Sequence, residues 1–190
     1  MPYRKRRRQY NRPGDAHELT FSCHRRLPLL SKDRTREWFI EALSRARLHW
    51  QFDLWAYVIM PEHAHVLLLP RRPEYDIGAI WKAIKLSVSR RAMDFLRVNA
   101  PQWLERLKVV WPTGRTEYHF WLQGGGYDRN IDNPRTAWRS VLYMHNNPVR
   151  RGLVANPEDW YWSSARWYAG FGDAKLAMDG SPPDPPDDVY

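Results

Sequence analysis

The chain has 190 residues, a length that suits one domain of ordinary size. Its formal net charge of +9 and pI of about 9.9 indicate an anionic partner, with nucleic acid favoured over an acidic membrane surface. A single cysteine, Cys23, excludes a disulfide framework and a cysteine zinc site, and the absence of a run of about 18 apolar residues excludes a membrane-spanning helix. The N-terminal stretch lacks the apolar centre of a signal peptide, so we expect a cytoplasmic protein.

The two ends of the chain differ in charge. Residues 1–15 form a basic arm with five consecutive cations: Arg4, Lys5, Arg6, Arg7 and Arg8. Such runs repel and stay disordered until they meet an anion, so we expect these residues to contact DNA or RNA, although a solubilising tail has the same composition. Residues 171–190 are rich in proline and aspartate and are predicted to be a disordered acidic tail. Residues 16–170 are then one continuous domain.

The first half of this domain alternates strands and helices. Residues 17–24 alternate as a strand does, and residues 34–50 place apolar side chains at helical spacing. The runs 52–60 and 63–69 are predicted to pair as an antiparallel hairpin around a turn at Pro61 and Glu62. Residues 75–99 predict a long helix with an apolar stripe and a basic side, which offers Arg90 and Arg91 as phosphate contacts.

The second half contains one further strand and one further helix. Residues 119–123 are predicted to be the last strand, followed by a glycine turn. Residues 133–147 are predicted to be a helix, with Asn133 as its N-cap, Pro134 at its first position and Pro148 after its end. The order of elements predicts an α+β fold of the ferredoxin-like (RRM-like) kind, an antiparallel sheet with helices packed on one face.

Two histidines begin the second strand of the hairpin. Residues two apart on a strand point to the same side, so His63 and His65 present both imidazoles to one face. This spacing suits two ligands of one metal ion. Spacing alone equally allows a strand with a polar edge.

The last helix offers complementary groups. Tyr143 and Asn147 are four residues apart and share one face of the helix. The amide oxygen of Asn147 can bind a hard cation, and the Tyr143 phenol can form a covalent intermediate once it is activated. Taken singly, Tyr143 could be a half-buried helix aromatic and Asn147 a residue that ends the helix. Together with two strand histidines, they are what single-tyrosine transesterification of DNA requires.

The segments "PEHAHVLLLP" and "YMHNNPVRRGLV", with "WLQGGGYDRNI" and "EDWYWSSARWYAG", resemble the REP-associated tyrosine transposases of the HUH single-strand nuclease superfamily. The resemblance runs from about His17 to Tyr168. It implies a ferredoxin-like fold, a divalent metal ion, single-stranded DNA with a hairpin as substrate, metal binding by His63 and His65, and Tyr143 as nucleophile. A polar residue four after the tyrosine completes the metal site in related transposases, and here it is Asn147. Ala64 is smaller than the bulky residue common between the histidines.

The metal ion and the phosphate contacts follow from the residue types. Two imidazoles and an amide favour Mn²⁺, whereas Mg²⁺ is abundant in cells and could complete its shell with phosphate oxygens and water. We therefore expect Mg²⁺ or Mn²⁺ without choosing between them. Arg129 follows the glycine turn just ahead of the helix that carries Tyr143, which makes it a third candidate phosphate contact.

The sequence thus predicts an HUH tyrosine transposase with single-strand endonuclease activity, which cleaves and rejoins hairpin (REP-like) DNA through a 5′-phosphotyrosine. One alternative is a non-catalytic RRM-like protein that binds hairpin RNA or DNA; it explains the charge but not the tyrosine–amide pair. The other is a metal hydrolase using bound hydroxide, which needs a third strong ligand and a general base. The sequence leaves open a monomer or a homodimer, and whether Tyr143 meets the histidines of its own chain.

Overall fold

The computed structural model of the protein describes residues 10–124 and 126–184. A four-stranded antiparallel sheet organises them, with the strand order β2–β3–β1–β6. Its strands are β1 (Ala16–Ser22), β2 (Phe52–Ile59), β3 (His63–Pro70) and β6 (Tyr127–Ile131). The predicted hairpin of residues 52–60 and 63–69 is confirmed as β2–β3.

Five helices and a small second sheet complete the architecture of the described residues. The helices are α1 (Asp33–Trp50), α2 (Ile77–Asn99), α3 (Leu104–Leu107), α4 (Pro134–Arg150) and α5 (Ala165–Tyr168). The second sheet is a hairpin of β4 (Lys108–Val110) and β5 (Thr116–Tyr118), which the sequence analysis did not anticipate. No described helix is long and apolar enough to cross a bilayer.

The two faces of the main sheet are covered by different helices. On one face, Leu19 and Phe21 of β1 and Val66 of β3 join the apolar residues of α1 and α2 in the larger core cluster. On the other face, a smaller cluster includes Ala56 and Leu67 and packs against α4. The α+β class is confirmed, but the expectation that all helices share one face is corrected. The strands carry apolar residues on both faces, and α4 covers the second set.

The bulge in β2 makes this two-sided pattern possible. The pairing of β2 with β3 shifts register between Leu54 and Ala56. Before the shift, Leu54 faces the larger cluster; after it, Tyr57 does so, while Ala56 and Val58 face α4. A bulge inserts one residue into a strand and thereby exchanges the faces to which the following side chains point.

The last strand of the sheet is not the one predicted. Residues 119–123 form no strand; Trp121 makes one isolated bridge with Cys23, lies buried in the core, and donates its indole N–H to the Lys85 carbonyl oxygen at 3.0 Å. The last strand of the main sheet is instead β6, which follows the glycine turn. Gly126 passes so close to the sheet that a Cβ there would lie 2.0 Å from the Thr20 carbonyl oxygen, so a side chain cannot be accommodated.

The helix α4 is longer than predicted. Asn133 caps it by accepting the backbone N–H of Thr136 at 2.8 Å, as expected. The helix does not end before Pro148, however, but continues to Arg150. A proline removes only its own N–H, and the turn continues because the Asn147 carbonyl accepts the N–H of Arg151 at 3.1 Å. The extension adds Arg150 to the same helix as Tyr143.

The chain segments near both termini partly contact the domain. Met178 is buried, and Asp179 pairs with Arg47 and Arg71 and accepts the Leu54 N–H at 2.9 Å, so the described part of segment 171–190 is packed rather than detached. The five cations of the basic arm, residues 4–8, lie outside the described residues, as do residues 185–190.

Candidate active site

His63 and His65 lie side by side on the face of β3 that α4 covers. Their ring centres are 4.9 Å apart with the ring planes at 89°, and both residues are buried. Ala64 points to the opposite side and is buried in the larger core cluster. The alternation predicted from the sequence therefore holds, and the small residue between the histidines fits a packed core position.

Each histidine is oriented through its Nδ1 atom. The Nδ1 of His63 lies 3.2 Å from Oε1 of Glu62, and the Nδ1 of His65 lies 3.0 Å from Oγ1 of Thr20. Glu62 is itself fixed by Arg151, whose guanidinium is 3.0 Å from the same carboxylate oxygen. A carboxylate or hydroxyl on one ring nitrogen orients the other towards a metal ion, as is usual for metal-binding histidines.

Burial keeps both imidazoles neutral at neutral pH. Burial, helped by the proximity of His63 and Arg26, lowers the pKa of His65 to about 3. Burial also lowers the pKa of His63, although the Glu62 carboxylate acts in the opposite direction. A neutral imidazole is the form that binds a metal ion.

Tyr143 of α4 lies directly against this pair. Its ring centre is 5.8 Å from that of His65, with the planes at 83°, and the Arg150 guanidinium lies 5.4 Å from the centre of the tyrosine ring. The residue is 46% exposed, so a macromolecular substrate can reach it. Tyr143, the nucleophile expected from the sequence, thus lies beside His65 of its own chain.

Asn147 lies between two contacts that join α4 to the sheet. Residues 143, 147 and 151 follow one another at one-turn spacing. Because Tyr143 contacts His65 and Arg151 contacts Glu62, Asn147 lies on the stretch of helix facing the histidine pair, and it is only 8% exposed. Asn147, which the sequence predicts to be the third metal ligand, therefore lies on the buried side of α4.

The donor set is modest for a metal site. Within residues 10–124 and 126–184, no group of three or more histidine, cysteine, aspartate or glutamate side chains is arranged to hold a metal ion. Two neutral imidazoles and an amide oxygen still fit a divalent ion that takes its remaining ligands from water and phosphate.

A cavity of about 540 Å³ opens beside Tyr143, between β1, β6 and α4. Its walls comprise Glu18, Thr20, His65, Tyr127, Arg129, Arg139, Ser140 and Tyr143. His65 and Tyr143 belong both to the cavity and to the group described above. The cavity therefore continues directly from the candidate reaction centre.

One sequence comparison and one structural comparison both find similarity to a REP-associated tyrosine transposase. No family model matches the chain. It is 25% identical over 113 residues to the REP-associated tyrosine transposase of Escherichia coli (strain K12), covering 60% of this chain and 54% of that protein, so the alignment spans about half of the relative's length. It also matches the structure of a REP-associated tyrosine transposase bound to a REP hairpin, with a TM-score of 0.68, 22% identity and coverage of 95% and 94% of the two chains.

The resemblance to REP-associated tyrosine transposases is confirmed. The structural match establishes that this chain shares the α+β fold of that transposase.

The site residues predicted from the sequence fall into two groups. His63, His65 and Tyr143 meet where β3 faces α4, and Asn147 follows Tyr143 one turn further along the helix. Of the candidate phosphate contacts, Arg129 lines the adjacent cavity.

The two other arginines are carried by α2, which packs on the far face of the sheet. Arg91 pairs there with Glu41 and lies over the ring of Trp38, and Arg90 is exposed beside it. The structure does not bring Arg90 or Arg91 to the histidines.

The sequence did not reveal the side chains that surround and orient the candidate site. Glu62 adjoins His63, and Arg150 and Arg151 stand inside the quoted motif, so their proximity to the site could have been inferred from spacing along α4. Thr20 and Glu18 could not, because they come from β1 and reach the site only through the register of the sheet.

Proposed function

We propose that this protein is a metal-dependent single-stranded DNA transesterase of the transposase type, which cleaves and rejoins hairpin DNA through a 5′-phosphotyrosine on Tyr143. The observation that carries the proposal is the contact of the Tyr143 ring with His65, which in turn adjoins His63. The named activity of the E. coli relative and the REP hairpin bound to the structural relative support the same class of substrate. Such DNA would be met in the cytoplasm.

The metal ion would be held by the imidazoles of His63 and His65 and the amide oxygen of Asn147. A bound Mg²⁺ or Mn²⁺ would polarise the scissile phosphate and offset the negative charge that develops on its oxygens. The chain's own residues prepare this site: Glu62 and Thr20 hold the two rings in orientation, and burial keeps them unprotonated.

Tyr143 would carry the covalent step. Its Oη attacks the phosphorus atom, a bond from the tyrosine oxygen to phosphorus forms, and the bond from phosphorus to the 3′ oxygen breaks. The phenol loses one proton and the departing 3′ oxygen gains one, so the exchange is balanced and the energy of the phosphodiester is retained. Attack by another 3′ hydroxyl on the phosphotyrosine reverses the step and rejoins a strand.

Basic residues would hold the DNA at this centre. Arg150 lies over the Tyr143 ring and offers a guanidinium to an oxygen of the attacked phosphate. Arg129 extends the positive surface along the cavity. The arm residues Arg4, Lys5, Arg6, Arg7 and Arg8 would add affinity for the same DNA, whereas Arg90 and Arg91 lie on α2 behind the sheet.

A covalent-adduct assay tests the proposal. The full-length protein is incubated with end-labelled single-stranded hairpin DNA and either Mg²⁺ or Mn²⁺, then run on a denaturing gel. We expect a labelled protein band that disappears in Tyr143→Phe, because this change keeps the ring and removes the attacking oxygen. Tyr118→Phe is the matched control, since Tyr118 is similarly exposed but lies on β5.

The same gel separates the competing functions. Cleavage without any adduct would support a hydroxide-using hydrolase, and an adduct that persists in Tyr143→Phe would move the nucleophile to another tyrosine. Tight hairpin binding with neither cleavage nor adduct would support a non-catalytic binding protein. Each of these outcomes contradicts the proposed mechanism.

A further inference from the structure

Glu18 lies in the wall of the cavity beside Tyr143. Its carboxylate would repel a phosphate group, so a surface that binds only phosphates does not explain its presence there. It lies on the same face of β1 as Thr20, two residues away, which corresponds to about 7 Å along the strand. Across the sheet, Thr20 pairs with His65, and Glu18 pairs with Arg129 on the other side. The Glu18 carboxylate therefore lies next to Thr20, which is the residue that contacts His65.

The Glu18 side chain is held in place but not fully paired. Glu18 is only 7% exposed, and its Oε2 accepts the hydroxyl of Ser140 on α4 at 2.9 Å. Among the described residues, no hydrogen bond reaches Oε1. Glu18 lines the cavity, so an Oε1 without a partner among these residues is available to a ligand with N–H or O–H donors.

The surroundings of this carboxylate suit a planar, partly anionic ligand. Arg129 and Arg139 line the same cavity and offset the charge of Glu18 where DNA phosphates approach. The ring of Tyr127 is 43% exposed and borders the cavity, so a base can stack against it. A volume of about 540 Å³ lies within the range of small-molecule pockets and is ample for one nucleotide.

We propose that this cavity binds one unpaired guanine of the DNA strand next to the scissile phosphate, with Glu18 accepting hydrogen bonds from the guanine edge. The proposal rests on the proposed function for its partner, single-stranded DNA, and adds which base the site selects. Enzymes that bind an unstacked base commonly read its Watson–Crick edge in this way.

The donor pattern of the four bases singles out guanine. Guanine presents two adjacent donors, N1–H and the N2 amino group, which match the two oxygens of a carboxylate, and its O6 can accept from an arginine. Adenine and cytosine each place a ring-nitrogen acceptor beside their amino group, and that acceptor would face a carboxylate oxygen. Thymine has one N–H flanked by two carbonyl oxygens. Only guanine satisfies Glu18 without an acceptor–acceptor contact.

Short oligonucleotides test the base preference directly. The probes are fluorescent hexathymidylates in which one inner position is guanine, adenine or cytosine, titrated with the full-length protein in EDTA at one ionic strength and followed by anisotropy. We expect the guanine probe to bind at least about tenfold more tightly than the others, the discrimination typical of a bidentate side-chain–base pair. Equal affinity for all four probes would overturn the proposal.

A matched pair of variants assigns the preference to Glu18. Glu18→Gln keeps the size of the side chain and its contact with Ser140 but replaces one acceptor oxygen by an N–H donor. We expect the guanine preference to fall to within about twofold, with little change for plain hexathymidylate. Glu105→Gln makes the same change in charge on α3, away from the cavity, and should keep the full preference. A preference that survives Glu18→Gln overturns the assignment.

Modified bases give the same test without a variant. Inosine lacks the N2 amino group, and 7-deazaguanine alters the opposite edge of the base. We expect inosine to lose most of the guanine preference and 7-deazaguanine to keep it; the reverse order would contradict binding by Glu18. None of these measurements needs the metal ion or the chemistry of Tyr143. Loss of adduct formation would therefore refute the proposed reaction alone, and loss of the guanine preference would refute the base pocket alone.

Discussion

The two faces of the main sheet serve different purposes although they share the same strands. On the face covered by α1 and α2, the Phe21 ring packs edge-on against Phe39 and Trp81, with centres 5.2 and 5.9 Å away. On the face covered by α4, the neighbouring residue Thr20 instead binds His65 and borders an open cavity. Alternation along a strand thus gives a dry core on one side and a polar site on the other.

This contrast explains how the candidate site gains its rigidity. β3 and β1 are the two central strands, and their reverse side is fixed by the larger core cluster. Side chains on such strands are held more precisely than side chains on loops, as a reaction centre needs. The cover by α4 is partial, which leaves Tyr143 and the cavity open to solvent. Substitutions on the two faces should therefore damage different properties.

The largest effect is expected from the histidines on the open face. We predict that His63→Ala or His65→Ala abolishes adduct formation and weakens binding of Mn²⁺ by more than the roughly 10–100-fold typical of losing a supporting residue, because a ligand itself is removed. Calorimetric titration with Mn²⁺, beside the denaturing gel, measures both effects.

A melting curve keeps this result apart from unfolding. Both imidazoles lie outside the larger core cluster, so the variants should remain folded. His49→Ala, an exposed change on α1, is the control and should leave metal binding and adduct formation intact. Variants that cleave at the normal rate, or that simply unfold, would remove His63 and His65 from the proposed metal site.

The fold was predictable from the sequence where one local pattern was enough. Period-two alternation located β1 and the β2–β3 hairpin, and helical spacing located α1, α2 and most of α4. The last strand was missed because residues 119–123 look strand-like, whereas Trp121 is buried as part of the core and pairs only through one bridge. Composition does not distinguish those two uses of an aromatic segment.

The candidate site was predictable only in part, because some of its residues are brought together by strand register and not by local spacing. The spacings of His63 with His65 and of Tyr143 with Asn147 can be read locally from the sequence. The family resemblance then predicted that the two pairs belong to one site. The residues of β2 that α4 contacts depend on the bulge between Leu54 and Ala56, which turns Ala56 and Val58 towards the helix and which residue spacing alone does not predict. Thr20 and Glu18 likewise depend on strand register, which is a property of the folded sheet.

A pair of adjacent substitutions on β1 compares the two faces most directly. We predict that Phe21→Ala lowers the free energy of unfolding by about 3–5 kcal/mol, because it leaves a cavity among packed aromatic rings. Thr20→Val keeps the branched shape and should cost only about 1 kcal/mol, for the lost hydrogen bond to His65. It should nevertheless slow adduct formation by about tenfold, since the His65 ring loses its orientation.

Denaturant unfolding and the rate of adduct formation, measured on the same samples, give the two quantities. The predicted contrast between the two faces would be wrong if Thr20→Val lowered the free energy of unfolding as much as Phe21→Ala does. It would also be wrong if Thr20→Val left the rate of adduct formation unchanged.

The basic arm allows a test of whether DNA reaches the open face from the N-terminal side. The described chain starts at Tyr10, whose carbonyl oxygen accepts the side-chain N–H of Asn130 on β6, beside Arg129. Removing residues 1–8 should therefore spare the fold. Five cations are lost, so we predict that the slope of log K against log salt for single-stranded DNA becomes shallower by about 3–4. An unchanged slope at unchanged affinity would show the arm to be passive.

The smallest expected effect concerns the arginines of the two faces. Arg129 lines the cavity, whereas Arg90 and Arg91 lie on α2 behind the sheet, where Arg91 already pairs with Glu41. We predict that Arg129→Gln weakens hairpin binding by about threefold to tenfold and reduces the salt slope by about 0.7, as the loss of one phosphate contact should. Arg90→Gln and Arg91→Gln make the same change in charge and should alter the affinity by less than about twofold. Replacement by glutamine avoids a new repulsion with Glu41, so any loss of binding reports a lost DNA contact. If the α2 variants weaken binding as much as Arg129→Gln does, the strand must also cross the face covered by α1 and α2, and the division of the sheet into a core face and a DNA face would fail.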